Sequence, residues 1–438
     1  MTDGEFAGVG PAFSAYLREF RRYAGLPPTA GHFEEYCRGL LSDETRKTVE
    51  PLALRAGTTV RTLQVFLKDA DWGDGAMRGT LRQRLAAAFA REPDRSRLGT
   101  IGIIDETSVL KKGVKTPGVQ RQYLGCVGKV DNGIVTVHLG VCRGDMKALL
   151  DADLFLPQSW DNDRPRCQAA GIPDDKHYEP KWKLAIWQWA QACADGFHFD
   201  WMVFDEGYGK HPAFLRVLDL RGQAYVGEIP VNYRVSTRPG GRRMEARELL
   251  KATARTGWKR VVIKHASGTV SVWKHRSCVV FAAQHRQRLI VAVNAATGEV
   301  KYFVSNETRK STATLLRVAF RRGPIEHLFR IAKQEVGFGH FEGRNYRALM
   351  RHLTMALVVM GFASLHAAKL QKKNAEVTME QVCRVLNLRT AIWLRRHRGH
   401  SDSVQTRETI RYHQARNHAA RHSRIKHRKR RIKELIAL

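Results

Sequence analysis

Apolar residues recur at three- and four-residue intervals through residues 11–95, in "PAFSAYLREFRRYAG", "HFEEYCRGLLS", "TVRTLQVFLKDAD" and "MRGTLRQRLAAAFA". That period predicts amphipathic helices, and residues 1–97 read as a helical N-terminal domain. The period changes at residue 100. "TIGIID", "RQYLGCVGKV" and "GIVTVHLGVC" are short β-rich runs, and Asp131-Asn132-Gly133 between the last two predicts a hairpin turn. Residues 143–180, rich in Asp, Pro and Gly, predict an irregular excursion. A helix near Lys181–Ala194, the run "WMVFD", a helix from about Pro212 to Leu220 and a strand at "QAYVGEIP" then alternate as βαβ units do, which predicts parallel pairing. Residues 98–230 are therefore the first part of an α/β core. Alternating β patterns return over residues 231–305 in "RVVIKH", "TVSVWKHRSCVVFAA", "RLIVAVN" and "KYFVSN", without an obvious helix. They predict an inserted β-rich subdomain. Residues 306–370 complete the core, and residues 371–438 read as a helical basic region. The fold class is mixed α/β.

Charge changes this picture most. The 438 residues carry 74 Lys and Arg against 42 Asp and Glu, a formal net charge of +32. A body with that much self-repulsion implies a polyanionic partner, and nucleic acid is the first candidate. An anionic membrane is the rival. The longest apolar stretch, Leu353–Leu365, is interrupted by Thr354, Gly361 and Ser364 and is too short to span a bilayer, so it predicts a buried helix and no membrane role. The start "MTDGEF" has neither a basic nor an apolar leader region. Seven scattered cysteines without a C-x-x-C pair fit a reducing cytoplasm. The basic charge is densest near the C-terminus. Residues 411–433 hold ten Lys and Arg, four His and no acid. This tail predicts phosphate binding through Arg424, Lys426, Arg428, Lys429, Arg430 and Arg431, on an ordered helix docked at one end by Ile425, Ile432, Leu435 and Ile436, or else a disordered arm.

Candidate chemistry starts from a repeated detail. "IGIID" ends at Asp105 and "WMVFD" at Asp205, so parallel neighbouring strands would bring both carboxylates to one rim. Each aspartate alone suits a loop start or a helix N-cap. Together, half-buried like charges cost several kcal/mol unless a cation lies between them, and a divalent metal is the usual remedy. A helix predicted to start near Pro324 carries Glu326 and Lys333, two turns apart on one face, with Arg322 four residues before the glutamate. Alone, such a stripe reads as an ordinary solvated face with an exposed charge pair. Trp258 and Trp273 are core residues or stacking platforms for an unpaired base. His418 and His422, four apart, are a solvated pair or a metal pair. No dinucleotide or Walker fingerprint is present around "VGFGHFEG" or "GCVGKV", so no nucleotide cofactor is expected.

The combination of Asp105, Asp205 and Glu326 with Arg322-x-x-x-Glu326-x-x-x-x-x-x-Lys333, preceded by a β-rich insertion, resembles the cut-and-paste DDE insertion-sequence transposases. The similarity extends to "IIDETSVLKKG", "RQYLGCVGKVDNG", "VFDEGYG" and "VGFGHFEGRNYRALMRHLTMAL", covering most of residues 40–430. It implies a ribonuclease H-like catalytic domain and a DNA-binding role for the helical N-terminal domain of residues 1–97. It also implies two Mg²⁺ ions per active site, replaceable by Mn²⁺, held by Asp105, Asp205 and Glu326, with phosphate contacts from Arg322 and Lys333. Glu106 and Glu206 should point elsewhere, because strand side chains alternate. Lys111, Lys112 and Arg344 are further candidate contacts to double-stranded DNA. One departure stands out: Ala319 occupies the position of the signature tyrosine, beside Phe320. The resemblance implies a prokaryotic, cytoplasmic, nucleoid-associated transposase. It would act as a homodimer on DNA, on its transposon ends and a target. An inert DNA-binding relative and a nuclease without strand transfer are the alternatives.

Overall fold

The computed structural model describes residues 3–252, 257–265, 269–282, 285–397 and 402–436. Its helical N-terminus comprises α1 (Asp3–Arg21), α2 (Pro27–Leu40), α3 (Val49–Ala56), α4 (Val60–Lys68) and α5 (Asp74–Ala90). Local signals explain their ends. Two prolines open α2, the Thr59 hydroxyl caps α4 by accepting from the Thr62 amide, and Gly57 closes α3 in the left-handed conformation. Their apolar stripes, Phe13, Leu17 and Phe20 with Phe33, Tyr36 and Phe66, are all buried.

Among the described residues, twelve strands follow the change of period at residue 100. In chain order the first region holds β1 (Ile101–Leu110), β2 (Gln120–Leu124), β3 (Lys129–Arg143) and β4 (Met146–Leu154), followed by α6 (Gln158–Asp161), α7 (Arg164–Ala169) and α8 (Lys181–Ala194). The parallel unit is β5 (Trp201–Phe204), α9 (Glu206–Gly209), α10 (Pro212–Leu220) and β6 (Tyr225–Ile229). Then come β7 (Arg234–Val235), β8 (Met244–Glu245), α11 (Ala246–Ala252), β9 (Lys259–Lys264), β10 (Val270–Ala282), β11 (His285–Asn294) and β12 (Val300–Ser305). Nine of them run in the order β2-β3-β1-β5-β6-β12-β11-β10-β9, with β4 on β3 as the tenth strand of the sheet. Strand β5 is parallel to both β1 and β6, and the other pairs in this sheet are antiparallel. The antiparallel β1, β3 and β4 beside parallel β5 and β6 form the ribonuclease H-like core of a mixed α/β fold.

Three local expectations change. Asp131-Asn132-Gly133 does not turn: it lies inside β3, and the turn falls at 125–128, where Gly128 has φ +66°. Gly133 is needed for strand approach instead, since a Cβ there would sit 2.6 Å from the Val109 carbonyl oxygen. The excursion after residue 143 opens with strand β4. The inserted strands β9–β12 extend the core sheet through β12 on β6, and the segment does contain a short helix, α11.

The last part of the chain is helical: α12 (Thr312–Ala319), a 3-10 turn (Phe320–Arg322), α13 (Pro324–Gln334), α14 (Tyr346–Gln371), α15 (Met379–His397) and α16 (Asp402–Ile436). With 26 residues, α14 is longer than the apolar stretch suggested, and it is long and apolar enough to cross a membrane. It is nevertheless a core helix, packed on β4 and on the N-terminal helices and buried along most of its length. The Tyr16 hydroxyl donates to the Val358 carbonyl at 2.9 Å, and Tyr36 hydrogen-bonds His352 at 2.9 Å. These bonds tie the N-terminal helices to the core.

Candidate functional site

Strands β1 and β5 pair in parallel register from Ile101 opposite Trp201 to Ile104 opposite Phe204. The next residue on each is an aspartate, so Asp105 and Asp205 reach the same rim of the sheet. Asp205 occupies the N-cap position of α9, yet its side chain makes no capping hydrogen bond. Its Oδ1 is buried and has no hydrogen-bond partner. An orphaned carboxylate oxygen of this kind is costly in a protein interior unless a cation or donor comes to it.

Asp105 is 8% exposed. Its Oδ1 accepts from the Glu106 amide at 2.8 Å, and its Oδ2 accepts from Arg322 Nη1 at 2.6 Å. Burial pushes its carboxyl up to about 7; Arg322 opposes that rise, while the Asp205 and Glu326 charges add to it. The other guanidinium nitrogen of Arg322 lies 3.6 Å from Glu326 Oε1. Pro324 starts α13, which sets Glu326 in its first turn, one helical turn beyond Arg322. The Glu326 side chain is 70% exposed. Among the described residues, no three His, Cys, Asp or Glu side chains converge tightly enough to hold an ion between them. The counter-charge between Asp105 and Glu326 is the Arg322 guanidinium. All three acids offer hard oxygen donors with no Cys or His among them, a set that suits Mg²⁺ or Mn²⁺.

Lys333, two turns along α13, reaches back to β1 with its Nζ 3.4 Å from the Ser108 carbonyl oxygen, and burial lowers its pKa. Glu106 pairs with Lys181 at 2.7 Å, while Glu206 lines a cavity of about 980 Å³ beside Asp205 with Lys210, His211 and Arg243. Two neighbours of the acids escaped sequence reasoning. Lys181 opens α8 with no motif around it to mark it as a partner of Glu106. Tyr208, in "DEGYG", is buried with its hydroxyl unpartnered, and burial followed by the Glu106, Asp205 and Asp105 charges pushes its phenol well up.

Other candidates are scattered. Lys111 follows β1 and donates to the Phe341 carbonyl, while Lys112 and Arg344 are exposed nearby. Trp273 is corrected: it is 3% exposed, donates to Ser271 Oγ and packs on Phe320 at 4.7 Å, so it offers no free face to a base. The same packing binds Phe320 to the inserted strands, and Ala319 is buried in front of it. Trp258 is 41% exposed under the Arg276 guanidinium. On α16, Arg424, Lys426 and Arg430 are exposed, and the side chains of Arg428, Lys429 and Arg431 lie outside the described residues. Apolar docking of the tail fails at Ile425, which is 53% exposed. Docking at Ile432, Leu435 and Ile436 falls on side chains outside the described residues. The helix is instead anchored near its middle, where Arg416 and His413 meet Glu50. His418 and His422 are exposed and touch each other at 3.1 Å.

A two-carboxylate rim on a ribonuclease H-like sheet, with a third acid on a following helix, defines a class of nuclease centres. The family model for DDE superfamily endonucleases matches residues 23–277, more than half of the sequence, and the chain belongs to that family. The match includes both aspartates and ends before Glu326. A probable transposase for insertion sequence element IS701 from Microchaete diplosiphon is 34% identical over 223 residues, which cover 50% of this chain and 54% of that protein. The chain thus matches about half the length of that curated relative.

Proposed function

We propose that the chain is a metal-dependent DNA transposase that cuts at the ends of its own element and joins them to target DNA. The observation carrying this reading is the in-register meeting of Asp105 and Asp205 with a buried, unpartnered Asp205 Oδ1. Asp105, Asp205 and Glu326 would hold Mg²⁺ or Mn²⁺. Bound there, a pair of such ions supplies Lewis acidity that activates a water or a DNA 3′-hydroxyl and stabilises the leaving oxygen. Arg322, in the 3-10 turn just before α13, and Lys333, on α13 with Glu326, bind phosphate oxygens of the scissile strand and orient it across the rim. Lys111, Lys112, Arg344 and the exposed cations of α16 hold flanking DNA without reading its sequence, because phosphate contacts position and base contacts specify. The two ends of an element are acted on together by a homodimer on DNA. The helical N-terminal region of residues 1–97 contributes end binding, and no nucleotide cofactor is used.

The test is cleavage and strand transfer on duplexes carrying the ends that flank the gene. Wild type should cut and join in Mg²⁺. Glu326→Gln should bind the ends yet cut several orders of magnitude more slowly, since a ligand to a catalytic metal is worth several kcal/mol of transition-state stabilisation. Cutting without joining would support the nuclease alternative, and binding without either would support the inert one. Full cutting in EDTA would overturn the metal-dependent reading.

A further inference from the structure

Three chain-distant segments close around one strongly basic cleft of about 860 Å³. Its walls are the loop after β1 (Lys111, Lys112 and Lys115), the loop between α2 and α3 (Arg46), and the loop before α14 (His340 and Arg344). Among the described residues Glu342 is its one acidic lining residue; it lies 3.8 Å from Arg46 with both side chains well exposed, a weak pair. Five Lys and Arg against one acid leave the cleft with a large positive surplus.

The walls are braced before any ligand arrives. The Lys47 amide donates to His340 Nδ1 at 3.0 Å, joining the α2–α3 loop to the loop before α14. The buried Lys47 ammonium donates to the Leu40 and Glu335 carbonyls, spending its charge on the scaffold. Lys111 does the same toward the Phe341 carbonyl, and the Asn132 amide group donates to the carbonyls of Lys111 and Gly113. The buried donors hold the frame. Arg46, Lys112, Lys115 and Arg344 are left exposed on it.

Position gives the cleft its meaning. Strand β1 runs from Asp105 to Leu110 directly into it, and Lys333 sits over Ser108 between the two. At about 3.3 Å per residue, the cleft mouth lies roughly 17 Å from Asp105. Cations therefore mark the path at its start, middle and end: Arg322 on Asp105, Lys333 on Ser108, and the cleft beyond Leu110. Duplex DNA advances 3.4 Å per base pair along one strand, so this path is about five base pairs long.

We infer that this cleft is a second phosphate-binding station, which grips the sugar–phosphate backbone of the duplex being cut about five base pairs from the scissile bond. The inference rests on the DNA-cleaving reading above. It adds Arg46, Lys115 and His340 to the DNA-contacting residues and fixes the path of the duplex along β1. The station binds backbone, so it acts equally on any sequence.

The test uses the full chain with an end-containing duplex and measures the salt dependence of binding by fluorescence anisotropy. Arg46→Ala with Lys115→Ala removes two exposed cations, and the slope of log K against log salt should fall by about 1.8, at 0.9 per lost phosphate contact. The pair Lys372→Ala with Lys373→Ala, exposed and away from the cleft, should leave the slope unchanged. A measurement that needs no variant uses wild-type protein on duplexes bearing a single neutral methylphosphonate. Interference should peak at the cut and again about four to six nucleotides away. An unchanged slope in the cleft variant, or interference confined to the cut, overturns the inference. If those results come with normal cutting, the transposase reading survives. If the slope drop and the interference pattern are both as expected and wild type never cuts, the cleft stands and that reading falls.

Discussion

Asp151→Asn tests how the helical N-terminus is joined to the catalytic sheet. Asp151, on β4, is buried, with Oδ1 2.8 Å from Arg78 Nη1 and Oδ2 2.6 Å from Arg82 Nη1. Arg82 Nε continues to Asp195 at 2.6 Å, and Arg78 also donates to Thr354 Oγ1 on α14 at 2.7 Å and to the Ala152 carbonyl at 2.9 Å. One carboxylate thus bridges two arginines of α5, with Asp195 and Asp153 completing their charge balance. Hydrogen bonds to charged groups contribute about 1.5–3 kcal/mol each, and removing one partner of a buried ion pair costs about 3–5 kcal/mol. Asparagine keeps one acceptor oxygen, so a loss of about 3 kcal/mol is expected. Urea denaturation followed by tryptophan fluorescence measures it, with wild type and variant compared at equal slope. Arg82→Ala should add less than its own full cost to the Asp151→Asn background, because the two share one interaction. A loss below about 1 kcal/mol, or full additivity, would refute the reasoning.

Two further predictions concern pH and backbone approach. Burial lowers His352 to about 4 and His138 to about 3, so both stay neutral in the fold. The unfolded chain takes up their protons below about pH 6.5, so stability is full above that pH and is lost as pH falls toward 4, by up to about 3 kcal/mol for His352. His352→Asn should flatten the stability profile between pH 7 and 5, and an unchanged profile would contradict this. Gly209→Ala would place a Cβ 2.0 Å from the Glu228 carbonyl oxygen, forcing the turn after Asp205 away from β6. Calorimetry should show a folded protein destabilised by about 1–3 kcal/mol, with cleavage falling more than binding.

The parts of the fold that were legible in the sequence are those where local pattern and tertiary role agree. "IGIID" and "WMVFD" read as apolar strands ending in acids, and they pair as such because parallel strands flanked by helices are apolar throughout. Pro324 and the spacing of Glu326 and Lys333 marked a helix face, and α13 carries it. The misreadings came where a distant partner overrides the local signal. Gly133 looked like a turn residue and serves the close packing of Val109 and Leu124 around β3. Strand β4 was hidden because Asp151 and Asp153 look like loop residues until Arg78 and Arg82, some seventy positions earlier, are seen to pair with Asp151. Trp273 gave no sign that Phe320 would cover it. The Arg322–Asp105 bond joins residues 217 positions apart, and the basic cleft joins three segments, so neither has a sequence period to reveal it.

We propose that Asp105, Asp205 and Glu326 form one cation site. Direct titration of Mn²⁺ into the DNA-bound chain, read by the loss of free-ion electron paramagnetic resonance signal, tests it without relying on turnover. Wild type should bind the ion, Asp105→Asn and Asp205→Asn should lose most of that binding, and Glu326→Gln should weaken it. Binding by Asp205→Asn at wild-type strength would contradict the account, because the unpartnered oxygen of Asp205 would then have no cation to serve.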